Sequence, residues 1–147
     1  VSERSVEASR AVIQGFVTGA LGCGCPAEVF RQIESSWPRV ERTDPNYLRI
    51  LIGGRLLIYA VEGSEGSSLL HWLPSLVERG RAERDAAAYN RFRLVLLMDG
   101  AADGRDEMEA AFARQAGDDG KAHLHFLPSG SAWHAVRSAL ESDFTTG

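Results

Sequence analysis

The sequence predicts an α/β domain: a four-stranded mixed sheet, built as a hairpin followed by a parallel βαβαβ run, with helices on both faces and two N-terminal helices ahead of it. Three observations lead there. The runs Leu56-Leu57-Ile58-Tyr59-Ala60-Val61 and Leu94-Val95-Leu96-Leu97-Met98 are continuously apolar, as expected of strands covered on both faces. Gly53-Gly54 separates the first of these runs from another apolar stretch, and a two-glycine turn accepts the positive φ that a tight hairpin needs. Beyond the hairpin, strand-length apolar stretches alternate with helical periodicity, which implies parallel pairing through right-handed crossovers.

At the N-terminus, Val6, Ile13, Phe16, Val17 and Ala20 recur at helical spacing, so a helix is predicted over Ser2–Ala20. Gly22 ends it in the left-handed conformation. Pro26 has the fixed φ favoured at a first helical position, and a second helix is predicted from there to Ser36-Trp37-Pro38, with Val29, Phe30 and Ile33 as its apolar side. A connector, Arg39 to Asn46, contains the Asp44-Pro45-Asn46 turn. Tyr47–Ile52 and Arg55–Val61 form the hairpin, with Tyr47–Ile52 as the edge strand.

Leu69, Leu70, Leu73, Leu76 and Val77 predict one or two helices between Ser67 and Asn90, with Pro74 kinking or restarting the pattern and Gly80 a second breaking point. Phe92–Met98 is the third strand. Met108, Ala111, Phe112 and Gln115 share a helix face that ends at Gly117. Asp118-Asp119-Gly120 turns the chain into a fourth strand, Lys121–Leu127, and Trp133, Val136 and Leu140 mark the inward face of a last helix. Thr145-Thr146-Gly147 is expected to fray. All 147 residues are read as one domain, long enough to bury a core.

Composition removes several function classes. A hydrophobic fraction of 44% and a charged fraction of 24% are those of an ordinary globular domain. A formal net charge of -4 argues against a nucleic-acid binder, and no apolar run is long enough for a bilayer. No basic-then-apolar leader is visible, and two cysteines are too few for a disulfide scaffold, so the expected location is cytoplasmic with reduced thiols.

The chemistry concentrates in Gly22-Cys23-Gly24-Cys25-Pro26. If Cys25 caps the second helix, unpaired amides and the dipole stabilise its thiolate and lower the thiol pKa. Cys23 is then the resolving thiol or a second metal ligand. A disulfide closed across one residue is strained and easily reduced, which suits a transient redox site. Zinc needs four ligands, so a metal site would recruit histidines or a second chain. Of His71, His123, His125 and His134, the pair His123 and His125 is the best placed, because residues two apart share one face of a strand. A symmetric homodimer would supply four thiolates instead. The plain alternative is two small buried side chains at a tight junction.

A second candidate site lies at the carboxyl ends of the strands, where ligands bind in open α/β sheets. Ser64, Ser67 and Ser129 offer hydroxyls and amides to an anion, and Asp99 and Asp103 offer carboxylates to a cation or ribose. Glu62 and Asp99 are a candidate carboxylate pair. No Walker pattern, Gly-x-Gly-x-x-Gly or Gly-x-Ser-x-Gly elbow is present, so these loops also read as simple caps and turns. The expectation is a small cytoplasmic α/β protein with a Cys-Gly-Cys thiol redox or metal-relay site at a helix N-terminus. The alternative is a non-catalytic binding or oligomerisation module with packed cysteines. A homodimer or protein partner fits either, nucleic acid and membrane fit neither, and the cofactor and any reaction are left open.

Overall fold

A computed structural model describes residues 3–22, 27–37, 47–62, 66–98, 105–128 and 130–143. The continuously apolar runs do become central strands. β3 (Leu56–Glu62) and β4 (Arg91–Leu97) run parallel side by side, buried along nearly their whole length. β5 (Ala122–Leu127) adds to β4, again parallel. β2 (Tyr47–Ile52) returns antiparallel against β3. The turn between them has φ 60° at Gly53 and 62° at Gly54, and Arg55 N–H donates to the Ile52 carbonyl at 3.0 Å.

The predicted four-stranded sheet has a fifth strand. β1 (Ile33–Ser36) pairs antiparallel with β2, giving a sheet in chain order β1-β2-β3-β4-β5. This replaces the predicted second N-terminal helix, of which only a five-residue 3-10 turn, Ala27–Arg31, is formed. The spacing of Val29, Phe30 and Ile33 suits a helix, but it suits equally a turn followed by a strand. Pairing decides: β1 satisfies the outer backbone groups of β2, while Ile33 and Ser35 point inward and Glu34 outward. Tyr47–Ile52 is consequently an interior strand and not the edge; among the described residues the edge strands are β1 and β5.

Among the described residues there are four α-helices. α1 (Glu3–Gly15) continues into a π-helical turn, Phe16–Ala20, and Gly22 follows at φ 67°, the left-handed residue its sequence position implied. α2 (Gly66–Ala87) is one helix through both Pro74 and Gly80. Gly80 does not break it because its role is proximity. A Cβ there would lie 2.2 Å from Cζ of Phe92, so the bare glycine lets α2 settle onto β4. α3 (Arg105–Ala116) ends at Gly117, φ 61°, and α4 (Ser131–Asp143) closes the described chain.

The period-2 alternation of the strands feeds two cores. Leu48, Ile50, Ile52, Leu56, Ile58, Val95 and Leu97 meet Ile13 and Val17 of α1 with its extension and Trp133, Val136 and Leu140 of α4. Tyr47, Leu57, Tyr59, Phe92, Leu94 and Leu96 meet Leu73, Leu76 and Val77 of α2 and Met108 and Ala111 of α3. The result is an α/β/α sandwich. Polar ties fix α4 at both ends: Trp133 Nε1 donates to Glu62 Oε1 at 3.1 Å, and Ser35 Oγ donates to the Leu140 carbonyl at 3.1 Å in a buried setting. No helix among the described residues is long and apolar enough to cross a membrane.

Candidate functional site: a cationic corner on β4 and β5

The parallel register sets Arg93 beside His123 and Val95 beside His125. Alternation along each strand then sends Arg91, Arg93, His123 and His125 to the sheet face shared with Val95 and Leu97, the face of α1 and α4. Helical cover runs out toward β5. Arg93 is 8% exposed, His123 and His125 are half-buried, and Arg91 is open to solvent.

The four side chains touch in pairs. Arg91 Nη1 lies 3.1 Å from His123 Nε2, and Arg93 Nη1 lies 2.9 Å from His125 Nε2. Arg93 Nη1 also donates to the Leu21 carbonyl at 3.0 Å. A guanidinium only donates, so both Nε2 atoms accept and both imidazoles are neutral with the proton on Nδ1. Burial, with the charges of Arg93 and His123, pushes His125 down to about 4. Burial and the two arginines also push His123 down, with Asp119 opposing them. Arg93 is itself shifted down by burial and by Arg91. Its Nε is buried without a partner, and among the described residues no carboxylate pairs with Arg91 or Arg93. Asp119, the acid that acts on His123, is engaged elsewhere, by Arg81 at 2.8 Å and Arg84 at 2.7 Å.

Leu21, whose carbonyl accepts from Arg93, precedes Cys23 by two residues in the sequence. Cys23 and Cys25 themselves lie outside the described residues, as do Ser64, Asp99, Asp103 and Ser129. Ser67 falls in the first turn of α2. At the carboxyl end of β3, Glu62 is taken up by Trp133 Nε1 and by Arg137 Nη1 at 2.5 Å, so it serves α4 docking. His71 is exposed, edge-on to Trp72 at 4.9 Å, and His134 is exposed on α4. Among the described residues no group of three or more His, Cys, Asp or Glu could hold a metal ion.

Sequence reading singled out the histidines and missed the arginines. The available signal was a charged residue set into an apolar strand, Phe92-Arg93-Leu94, in phase with Arg91. Which face it shares with His123 follows only from the register. Along the outer edge of β5 runs an open groove of about 480 Å³, lined by residues 122–127 and by Arg105, Glu109 and Phe112 of α3.

No protein-family model, curated protein or solved structure matches the chain. Its class is therefore defined by its own architecture: a five-stranded α/β/α sandwich with an arginine–histidine corner at the amino half of β4 and β5.

Proposed function

We propose that the protein is a thiol redox protein in which Cys23 and Cys25 work against the cationic corner of β4 and β5. The observation that carries this reading is the hydrogen bond from Arg93 to the Leu21 carbonyl. Covalent geometry keeps the Cα of Cys23 within about 7 Å of that of Leu21, which supports a thiol pair within range of the Arg93 charge, a guanidinium with no carboxylate partner among the described residues. A helix dipole no longer supports the thiolate, because the chain after Pro26 enters a five-residue 3-10 turn. A neighbouring arginine does the same work, favouring the thiolate over the thiol.

In the proposed reaction the Cys25 thiolate attacks a substrate disulfide, forming a mixed disulfide and releasing one substrate thiolate. Cys23, as thiolate, then attacks the Cys25 sulfur, forming the Cys23–Cys25 disulfide and releasing the second substrate thiolate. The substrate is reduced by two electrons and the cysteine pair is oxidised by two. The metal-relay form of the reading is weaker. Both Nε2 atoms already accept from arginines, and a metal cation would have to displace guanidinium groups and sit among them. Four thiolates from a homodimer would avoid the histidines, and zinc or iron content per dimer by native mass spectrometry tests that route.

The test of the redox reading is alkylation. Iodoacetamide should modify Cys25 faster at pH 7 than a free-cysteine peptide, with a thiol pKa below the unperturbed value of about 8.5. Cys25→Ser should remove most of that rate, and Arg93→Gln should raise the thiol pKa by about one unit. A folded protein that alkylates no faster than the peptide refutes the reading. It would leave the binding or oligomerisation module, now supported by the open edge of β5 and its groove, because an unpaired edge strand invites pairing.

A further inference from the structure

Among the described residues the corner carries an excess of fixed positive charge with no carboxylate partner. Arg49 meets Glu83, Arg84 meets Asp119, and Arg137 meets Glu62 and Glu141. Among the described residues, the side chains of Arg91 and Arg93 meet imidazole nitrogens and one backbone carbonyl and no carboxylate. Arg93 is more than nine-tenths buried, and its Nε has no partner. A guanidinium removed from water in this way is stable when an anion completes it, and its planar fork matches the spacing of two oxygens on one acid group.

We propose that Arg91, Arg93, His123 and His125 form a binding site for a phosphate-type dianion. The charge sets the class: two guanidinium groups balance a dianion, whereas a single carboxylate would leave one of them uncompensated. The imidazoles complete the site by changing role. Each now accepts from an arginine through Nε2; with an oxyanion present the guanidinium groups turn to its oxygens, and the freed imidazoles donate. Access is from solvent on the α1 and α4 side of β4 and β5, where Arg91 is exposed and His123 and His125 are half-buried. The site stands whether or not the cysteines are redox-active.

The experiment is NMR of the four histidine side chains during titration with inorganic phosphate, and separately with phenyl phosphate, against sodium chloride at matched ionic strength. Saturable shifts of His123 and His125, absent for His71 and His134, are expected with both phosphates. Tighter binding of phenyl phosphate identifies a phosphate ester as the ligand, and equal binding identifies the free ion; either supports the site. Arg93→Gln should weaken binding at least about tenfold. Arg91→Gln, at an exposed position that leaves the fold intact, should weaken it several-fold. The shifts should persist in the Cys23→Ser/Cys25→Ser double variant, which separates this site from the thiol reading. Shifts no larger than those in chloride, shifts unchanged in Arg91→Gln, or shifts lost in the double variant would each overturn the proposal.

Discussion

Arg93 occupies a place in β4 where the neighbours on its face, Val95 and Leu97, are aliphatic and fully buried. Burial, with the Arg93 charge beside it, makes His125 a titration point for stability. His125 is neutral in the folded protein down to about pH 4, against 6.5 for a free imidazole. Between those values the unfolded chain binds a proton that the folded chain does not, so stability falls as pH drops through this window. His123 is shifted the same way and adds to the effect. After discounting for partial exposure, the loss from pH 7 to pH 4 attributable to His125 is about 1–2 kcal/mol. Urea denaturation at pH 7, 5.5 and 4.5 should show it, and His125→Phe should flatten the slope in that range. An unchanged slope in the variant would mean that the imidazole is not held neutral. At the hairpin, Gly53 is required twice over. Its φ of 60° disfavours a side chain, and a Cβ would sit 2.6 Å from Cβ of Val29. Gly53 N–H also donates to the Gln32 carbonyl, which ties the hairpin to the residue leading into β1.

At the level of elements, the sequence cue for a break in α2 turns out to mark a contact. Gly80→Ala would gain about 0.5–1 kcal/mol of helix propensity. It would also drive a methyl group into the Phe92 ring, which is fully buried and has nowhere to retreat. Overpacking of this kind costs about 1–3 kcal/mol, so the net expectation is a destabilisation of about 1–2 kcal/mol. A thermal melt should fall by a few degrees, and Phe92→Leu in the same chain should recover part of the loss, because neighbouring substitutions are not additive. An increased melting temperature for Gly80→Ala would show that α2 does not rest on β4 at this point. β1 teaches the converse lesson. Four residues with one inward isoleucine and one inward serine carry little strand signal, and their state is decided by the free edge of β2.

Across the whole molecule, ionic clamps join segments that are distant in sequence. Arg81 and Arg84 of α2 both reach Asp119 in the turn before β5, and Arg81 Nη1 also donates to the Gln115 carbonyl at the end of α3. The side chains of Arg84 and Asp119 are 7% and 10% exposed, so the pair is largely withdrawn from water. Arginine neighbours hold the Asp119 carboxyl well below the usual carboxylate range, so this contribution is present at neutral pH and is lost only as pH falls below that range. Arg84→Met removes one of two cations from a buried carboxylate. The expected loss is about 2–3 kcal/mol, at the low end for a broken buried pair because Arg81 remains. A urea midpoint that falls at constant m-value is the expected signature, and an unchanged midpoint would show that Arg81 alone suffices.

The sequence by itself determined what neighbouring residues settle between themselves. The two covered strands, the Gly53-Gly54 hairpin, the helix stops at Gly22 and Gly117, and the shared strand face of His123 and His125 are all local patterns of period, turn or cap. Tertiary structure decided whatever depends on a partner distant in the chain. Residues 33–36 are a strand because β2 offers them a backbone edge, and α2 stays whole because Gly80 has Phe92 to meet. The arginine–histidine corner exists because the β4–β5 register brings together two strands separated by α3, and because α1 and its extension lead Leu21 to Arg93. Periodicity fixes which way a side chain points along its own element; which charges face one another is fixed only when the elements pair.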